Sequence, residues 1–357
     1  MFMRMVYDDM LAQAAYVIGC QQTGEAVVID PLRDVDRYVE LAAAQGLRIV
    51  AVAETHIHAD FLSGARELAE AVGAKVYVSD EGGPDWKYAW LDAKAAGADG
   101  DGSYDYQLLR DGEAFWIGKI EFEVMHTPGH TPEHVCFLVT DHGSGADEPI
   151  GILTGDFVFV GDLGRPDLLE TAAGQAGAME PSARQLHKSL ARLRDIPEFT
   201  QVWPGHGAGS ACGKALGAVP ASTMGYERRF SPAMQAAGDE QGFVDFILEG
   251  QPEPPVYFAA MKHDNKHGPR VLGGLTIPPR VDAATLATVD ASAQVIIDTR
   301  EWESFRDAHL PGSLYIPLNA GFCTDGGSFV TADDSIWLVV GPALVERAVR
   351  ALVRIGL

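Results

Sequence analysis

A chain of 357 residues with 47% apolar and 22% charged side chains is long enough to bury more than one hydrophobic core, and it has no apolar run long enough for a membrane helix. Its 50 acidic against 27 basic side chains leave a formal net charge of -23, which opposes binding to nucleic acid and to anionic membrane surfaces. Asp8 and Asp9 stand where an export signal would need its apolar stretch, and Cys20, Cys136, Cys212 and Cys323 are spaced as neither a zinc knuckle nor a disulfide framework, so a reducing cytoplasm is expected.

In chain order, AVVID (Ala26 to Asp30) and RIVAVAET (Arg48 to Thr55) read as strands, and DVDRYVELAAAQG between them has helical spacing and a stop at Gly46. The stretch LDAKAAGADGDGSYD, Leu91 to Asp105, reads as a surface loop, mobile and able to cover a site. The runs FWIG, KIEFEVMHT, HVCFLVT and GILTGD are β-type and close enough in sequence for antiparallel pairing, so a mixed sheet is expected. A first domain over residues 1–235 is followed by an extension and linker over 236–280, where prolines, glycines and charges between Pro252 and Pro279 interrupt any period. A second module begins near Val281, and no internal repeat is found.

Four polar groups follow apolar strands. THIHADF (Thr55 to Phe61) carries His56, His58 and Asp60; TPGHT carries His130; TGD carries Asp156; PGHG carries His206. Any one of these reads equally well as a turn residue, but neutral imidazoles and carboxylates gathered at strand ends are the ligand types that zinc, iron and manganese prefer. His126, His142, His187, His263, His267 and His309 lack such company and read as surface or packing residues, and His134, which follows TPE, is left open.

With Asp30, these motifs resemble the metallo-β-lactamase superfamily, and within it most closely the persulfide dioxygenases, also called sulfur dioxygenases. The segments that carry the likeness are ETHIHADFLSG, HTPGHTPEH, TGDFVFVGDLGRPDL and PGHGAGSACGKALG, spread from Ala26 to about Pro232. The resemblance implies an αβ/βα sandwich. It implies one Fe(II) per chain held by His56, His130 and Asp156, with His58, Asp60 and His206 around it to orient ligands and hydrogen-bond water or dioxygen. Spacing alone does not exclude His58 as a ligand. The hydrolases that hold two metals have a histidine where Phe61 stands, so a second ion would have only Asp60, His206 and a share of Asp156.

The implied reaction is oxidation of glutathione persulfide, or a similar low-molecular-weight persulfide, by O2 to sulfite and free thiol. Arg165, Lys214 and Arg228 are the cations expected to hold a substrate carboxylate, with Tyr226 as a hydrogen-bond donor; each reads as readily as a surface salt bridge. Cys212 is placed to hold or relay a sulfur, or else to fill a core like Cys20, Cys136 and Cys323.

VIIDTREWESFRDAHLPGSLYIPL, from Val295, resembles the opening of a rhodanese domain. A working rhodanese needs a cysteine in the loop between the next strand and helix; here that loop, after IWLVV, reads GPALV, and Cys323 lies in another segment. A complete rhodanese would also continue past Leu357. Residues 281–357 are therefore expected to be a degenerate, incomplete rhodanese-like α/β module without sulfur transfer, serving structure or docking. A homo-oligomer, dimer or tetramer, and a sulfurtransferase partner are expected as well. Two other functions fit parts of the pattern: a glyoxalase II-type thioester hydrolase, against which Phe61 and the rhodanese-like segment argue, and a non-catalytic sulfur carrier, against which the complete ligand set argues.

Overall fold

Strands that are apolar on both faces need cover on both sides, and β2 (Gln13–Cys20) is buried along its whole length. The computed structural model describes residues 1–93, 102–172, 174–286 and 288–357. β2 lies in a six-stranded sheet in the order β1 (Phe2–Asp8), β2, β3 (Glu25–Ile29), β4 (Arg48–Ala53), β5 (Lys75–Ser79), β6 (Tyr106–Leu109). Its first three strands are antiparallel and the rest parallel.

A second six-stranded sheet runs β12 (Ser222–Thr223), β11 (Gln201–Pro204), β10 (Gly151–Gly155), β9 (Val135–Asp141), β8 (Ile120–His126), β7 (Ala114–Ile117). Only β10 and β11 are parallel there, so both sheets are mixed, as the strand spacing predicts. Tyr16, Ile18, Val27 and Ile29 of the first sheet meet Phe122, Val124, Phe137 and Trp203 of the second in the layer between them.

Helices cover the two outer faces. α1 (Asp36–Ala44) and α2 (Ala65–Val72) place Tyr38, Ala42 and Leu68 on Val17, Val28, Val52 and Val76 of the first sheet. On the second, α4 (Met179–Leu190), which follows the short α3 (Leu168–Thr171), packs Ala183 and Leu186 against Ile152 and Val202. α5 (Met224–Phe230), α6 (Pro232–Ala236) and α7 (Glu240–Leu248) complete that layer through Met224, Ala233, Phe243, Val244 and Ile247.

Within the segment expected to be an extension and linker, two helices are part of the core. Its two longer helices, α7 and α8 (Phe258–His267), have only 9 and 10 residues between glycines and prolines, too short a window for their spacing to stand out. Of the loop expected at Leu91 to Asp105, residues 94–101 lie outside the described residues; its flanks are anchored, with Leu91 and Tyr104 buried and Tyr104 edge-on to Trp90 at 5.1 Å.

After α9 (Ala283–Leu286) comes a three-stranded sheet in the order β14 (Leu314–Tyr315), β13 (Val295–Asp298), β15 (Ile336–Val339), parallel throughout, with α10 (Trp302–Asp307), α11 (Phe322–Phe329) and α12 (Val345–Arg354). α11 and α12 seat this module on the sandwich: Phe322, Cys323, Ala348, Ala351 and Leu352 share one cluster with Leu32, Phe61, Leu62, Tyr257 and Met261. Around it, buried Arg354 pairs with Asp34 at 2.6 Å and with Asp8, and Arg350 bridges Asp34 (2.9 Å) and Asp36 (2.5 Å). Among the described residues no helix is long and apolar enough to cross a membrane.

Candidate metal centre

The polar strand-end residues converge at one edge of the sandwich. His56, His58 and Asp60 leave β4, His130 lies between β8 and β9, Asp156 follows β10 and His206 follows β11. Backbone geometry arranges them. Asp30 adopts the left-handed region with φ 48° and takes two hydrogen bonds from Thr55, from its N–H at 2.7 Å and its hydroxyl at 2.8 Å. Because the Thr55 hydroxyl proton is committed to Asp30, Thr55 Oγ1 accepts from His56 Nδ1 at 2.9 Å. His130 Nδ1 donates to the Arg165 carbonyl (2.9 Å), and His206 Nδ1 to the carbonyl of Ala12 (3.1 Å), itself at φ 48°. All three rings thus keep Nε2 as the free lone pair.

Donor atoms of His56, His130 and Asp156, all buried, lie within 4.8 Å of one another. Neither carboxylate oxygen of Asp156 has a hydrogen-bond partner, although His130 Nε2 is 3.5 Å from Oδ2 and His206 Nε2 is 3.4 Å from Oδ1. A buried carboxylate without donors, facing imidazole lone pairs, is a set of acceptors that a cation satisfies, so these residues fit a transition-metal ion. Burial, joined by the neighbouring imidazoles, pushes the His56 pKa well down. Burial lowers His130 too, against the pull of Asp156. Burial would raise Asp156, but the imidazoles of His206 and His130 outweigh it and hold the carboxyl below its usual range. These are the protonation states that metal ligands need.

His134 is settled by its bonds. Its Nε2 accepts from the Asp156 N–H at 3.1 Å and its Nδ1 meets Thr127 Oγ1 at 2.8 Å, so it positions the aspartate. Close approach excludes side chains around that turn: a Cβ on Gly155, at φ 46°, would stand 2.5 Å from Thr55 Oγ1, and one on Gly164 would stand 1.7 Å from the Asp156 carbonyl oxygen.

Other expected residues have partners of their own. His58 directs Nε2 to Asp30 Oδ1 (3.2 Å) and Glu54 Oε2 (3.0 Å), with its ring 4.4 Å from that of Phe61. Burial opposes its protonation, but the two carboxylates prevail and raise its pKa well above the usual value, which makes it a cation behind the centre. Arg165 is 1% exposed and gives Nε and Nη2 to Asp167 (2.8 and 2.6 Å) and Nη1 to the Ala211 carbonyl (3.0 Å). Lys214 donates to the Phe246 and Glu249 carbonyls at the end of α7, and Arg228 to the Leu193 and Ile196 carbonyls. Tyr226 lies on α5, 55% exposed. The cations expected to bind substrate are thus taken by helix ends and a buried aspartate, whose unpaired carbonyls and charge need them. Cys212, by contrast, is buried beside Asp60 and His206, and burial together with the Asp60 and Asp156 charges pushes its thiol pKa well up.

Sequence reasoning missed the residues that clamp the ligand loop from outside. Asn265 of α8 donates to the carbonyls of His58 (2.9 Å) and Phe61 (2.7 Å) and accepts from the Ser63 N–H (2.8 Å). Leu62 N–H donates to the Arg354 carbonyl of α12 at 2.7 Å. Glu133, pushed up to about 7 by burial, accepts from the Ile57 N–H at 2.8 Å. No spacing rule reaches Asn265, which is 204 residues from Phe61.

A two-sheet sandwich flanked by helices, with a buried His/Asp cluster at one edge, defines a metal-binding protein of the metallo-hydrolase type. The chain belongs to the metallo-β-lactamase superfamily, whose sequence pattern matches residues 9–206. It is similar over its whole length to a crystallised metallo-beta-lactamase from Staphylococcus aureus subsp. aureus COL, at 38% identity and a TM-score of 0.86, covering 100% of this chain and 96% of that one, so that protein shares the C-terminal module. It is 25% identical over 240 residues to the mitochondrial persulfide dioxygenase ETHE1 of Bos taurus, covering 67% of this chain and 78% of that protein. It is also 30% identical over 192 residues to a hydroxyacylglutathione hydrolase of Polaromonas sp., covering 54% of this chain and 60% of that protein.

Proposed function

We propose that this chain is a persulfide dioxygenase with one iron, held by His56, His130 and Asp156, that oxidises glutathione persulfide or a similar small persulfide. The observation that carries the reading is the convergence of two free Nε2 atoms and one unpartnered buried carboxylate beside Phe61, which has no donor atom to offer a second ion. The ETHE1 relative supports it. Iron(II) bound by two imidazoles and a carboxylate supplies open positions for dioxygen and a sulfur, together with the redox chemistry that no side chain provides. The balanced reaction is persulfide anion plus O2 plus water to thiol plus hydrogensulfite.

The remaining steps fall to the chain's own residues. Thr55, the Arg165 carbonyl and His134 hold the His56 and His130 rings and the Asp156 backbone in place. The buried rings of Phe61, 4.4 Å from that of His58, and Phe159, 6.1 Å from that of His206, limit the access of water to the centre. The Cys212 thiol, kept protonated by burial and two neighbouring carboxylates, offers its S–H to the incoming sulfur, and His206 Nε2 and Asp60 Oδ2 face the space where the consumed water is held. In the structure Arg165, Lys214 and Arg228 are bonded to Asp167 and to backbone carbonyls.

To the rhodanese-like C-terminal module we assign a structural role. The 341–345 loop has no cysteine, and Cys323 is 1% exposed with its thiol on the Ala351 carbonyl. Thiosulfate and cyanide should therefore yield no thiocyanate; robust formation, lost in Cys323→Ser, would overturn this assignment. The activity itself is tested by anaerobic purification, metal analysis and oxygen uptake with glutathione persulfide. One iron per chain with sulfite as product is expected. Two zinc ions with hydrolysis of S-lactoylglutathione faster than oxygen consumption would instead favour a thioester hydrolase, in line with the Polaromonas relative.

A further inference from the structure

Helix α8 creates a pairing that the sequence leaves hidden. His263 and His267 read singly as surface residues, but four positions apart on a helix they stand one above the other. Their ring centroids are 4.3 Å apart, with the planes tilted by 32°. Both are exposed, whereas Phe258, Met261 and Asn265 bury the opposite face of the helix. Hydrogen bonds settle which nitrogen of each ring is free. His267 Nδ1 donates to the His263 carbonyl at 2.9 Å, and His263 Nδ1 donates to Asp264 Oδ1 at 3.1 Å, so each ring keeps Nε2 as its lone pair.

Two neutral imidazoles on one helical face form a chelate for divalent transition ions such as nickel, copper and zinc. Once one nitrogen has bound, the second is held beside the ion rather than met from solution, so the pair should bind at least about tenfold more tightly than either ring alone. The electrostatic setting favours a cation. His267 ends α8, where unpaired carbonyls carry partial negative charge, Asp264 adds a carboxylate, and the chain has a formal net charge of -23. Of the two neighbouring lysines, Lys262 has its Nζ drawn onto the Trp86 ring at 4.1 Å, which leaves Lys266 as the charge that opposes binding.

We infer that His263 and His267 form an exposed chelating site for a divalent transition-metal ion, completed by water and separate from the buried centre. Binding consumes two lone pairs and changes no oxidation state. Asn265, which clamps the His58 and Phe61 carbonyls, lies on the turn between the two histidines, so an occupied site closes a ring across the part of α8 that supports the ligand loop.

Nickel(II), which is not reduced by thiols, is the probe. The full chain is dialysed to equilibrium against it anaerobically, with nickel and iron both counted. The unmodified chain should take up a nickel equivalent that His263→Ala and His267→Ala each bind at least about tenfold more weakly. His309→Ala, which removes a lone exposed histidine stacked on Phe305, should bind nickel as the unmodified chain does. Nickel that exchanges into the buried centre would release iron and be kept by all three variants. No nickel uptake by the unmodified chain, or equal uptake by His263→Ala and His267→Ala, overturns the site. Nickel should also slow deuterium exchange at the Ser63 amide, which donates to Asn265, in the unmodified chain and not in His267→Ala; unchanged exchange overturns the link to the ligand loop.

Discussion

The metal edge of the sandwich and the seat of the C-terminal module are both buried and densely charged, but they are held together differently. At the metal edge each ligand is positioned by a bond to backbone or to a neighbour at the same sheet edge: Thr55, the Arg165 carbonyl, His134. At the seat, ion pairs join residues more than 300 positions apart, as Arg354 does with Asp8 and Asp34. The two regions meet at Leu62, whose N–H is bonded to the Arg354 carbonyl. The difference teaches that a site can be assembled from strand ends and still depend on a distant module for the outer face of its ligand loop.

Variants of the proposed ligands should break that arrangement most completely. His56→Ala, His130→Ala and Asp156→Ala should each lose iron and all turnover, whereas His206→Ala should retain iron at reduced activity; equal iron loss from both kinds, read by metal analysis, would refute the assignment. At the seat, Arg354→Ala takes the buried partner from Asp8 and from Asp34, which keeps Arg350, and should cost about 3 kcal/mol. Arg306→Ala, which breaks only an exposed pair with Asp307, should stay within about 0.5 kcal/mol when both variants are unfolded in urea. Arg165→Ala belongs with Arg354→Ala: it strands buried Asp167, so stability should fall by a similar amount, and a rise in KM without loss of stability would return Arg165 to substrate binding.

Asn265→Ala tests how far the ligand loop depends on support from outside the sheet edge. It leaves the Ser63 N–H and two loop carbonyls without partners, which should cost about 1–3 kcal/mol. It should also weaken iron binding about tenfold, as loss of an outer support does; unchanged iron affinity would show that the loop holds itself. The smallest effect concerns acid. Hydrogen bonds from Arg350 outweigh burial and hold Asp36 below its ordinary value of 3.8, so its contribution is present above that pH and is lost as pH falls through the lower folded value. Asp36→Asn should remove a few tenths of a kcal/mol from the acid limb of a stability profile, little because the group is half exposed.

The strands, the mixed character of the sheets and the histidines and aspartates at strand ends are legible in the sequence because each rests on local rules: apolar spacing, and polar groups where a strand leaves its sheet. Tertiary structure alone decided where side chains with several possible partners go. Arg165, Lys214 and Arg228 look like free cations beside a motif until an aspartate and unpaired helix carbonyls claim them. Helices α7 and α8, read as linker, are drawn into the core because the apolar faces of so short a helix are stabilised by what they bury rather than by their own propensity. Asn265 and Cys212 join the metal edge through contacts that only chain folding creates, since no local period relates residues dozens to hundreds of positions apart.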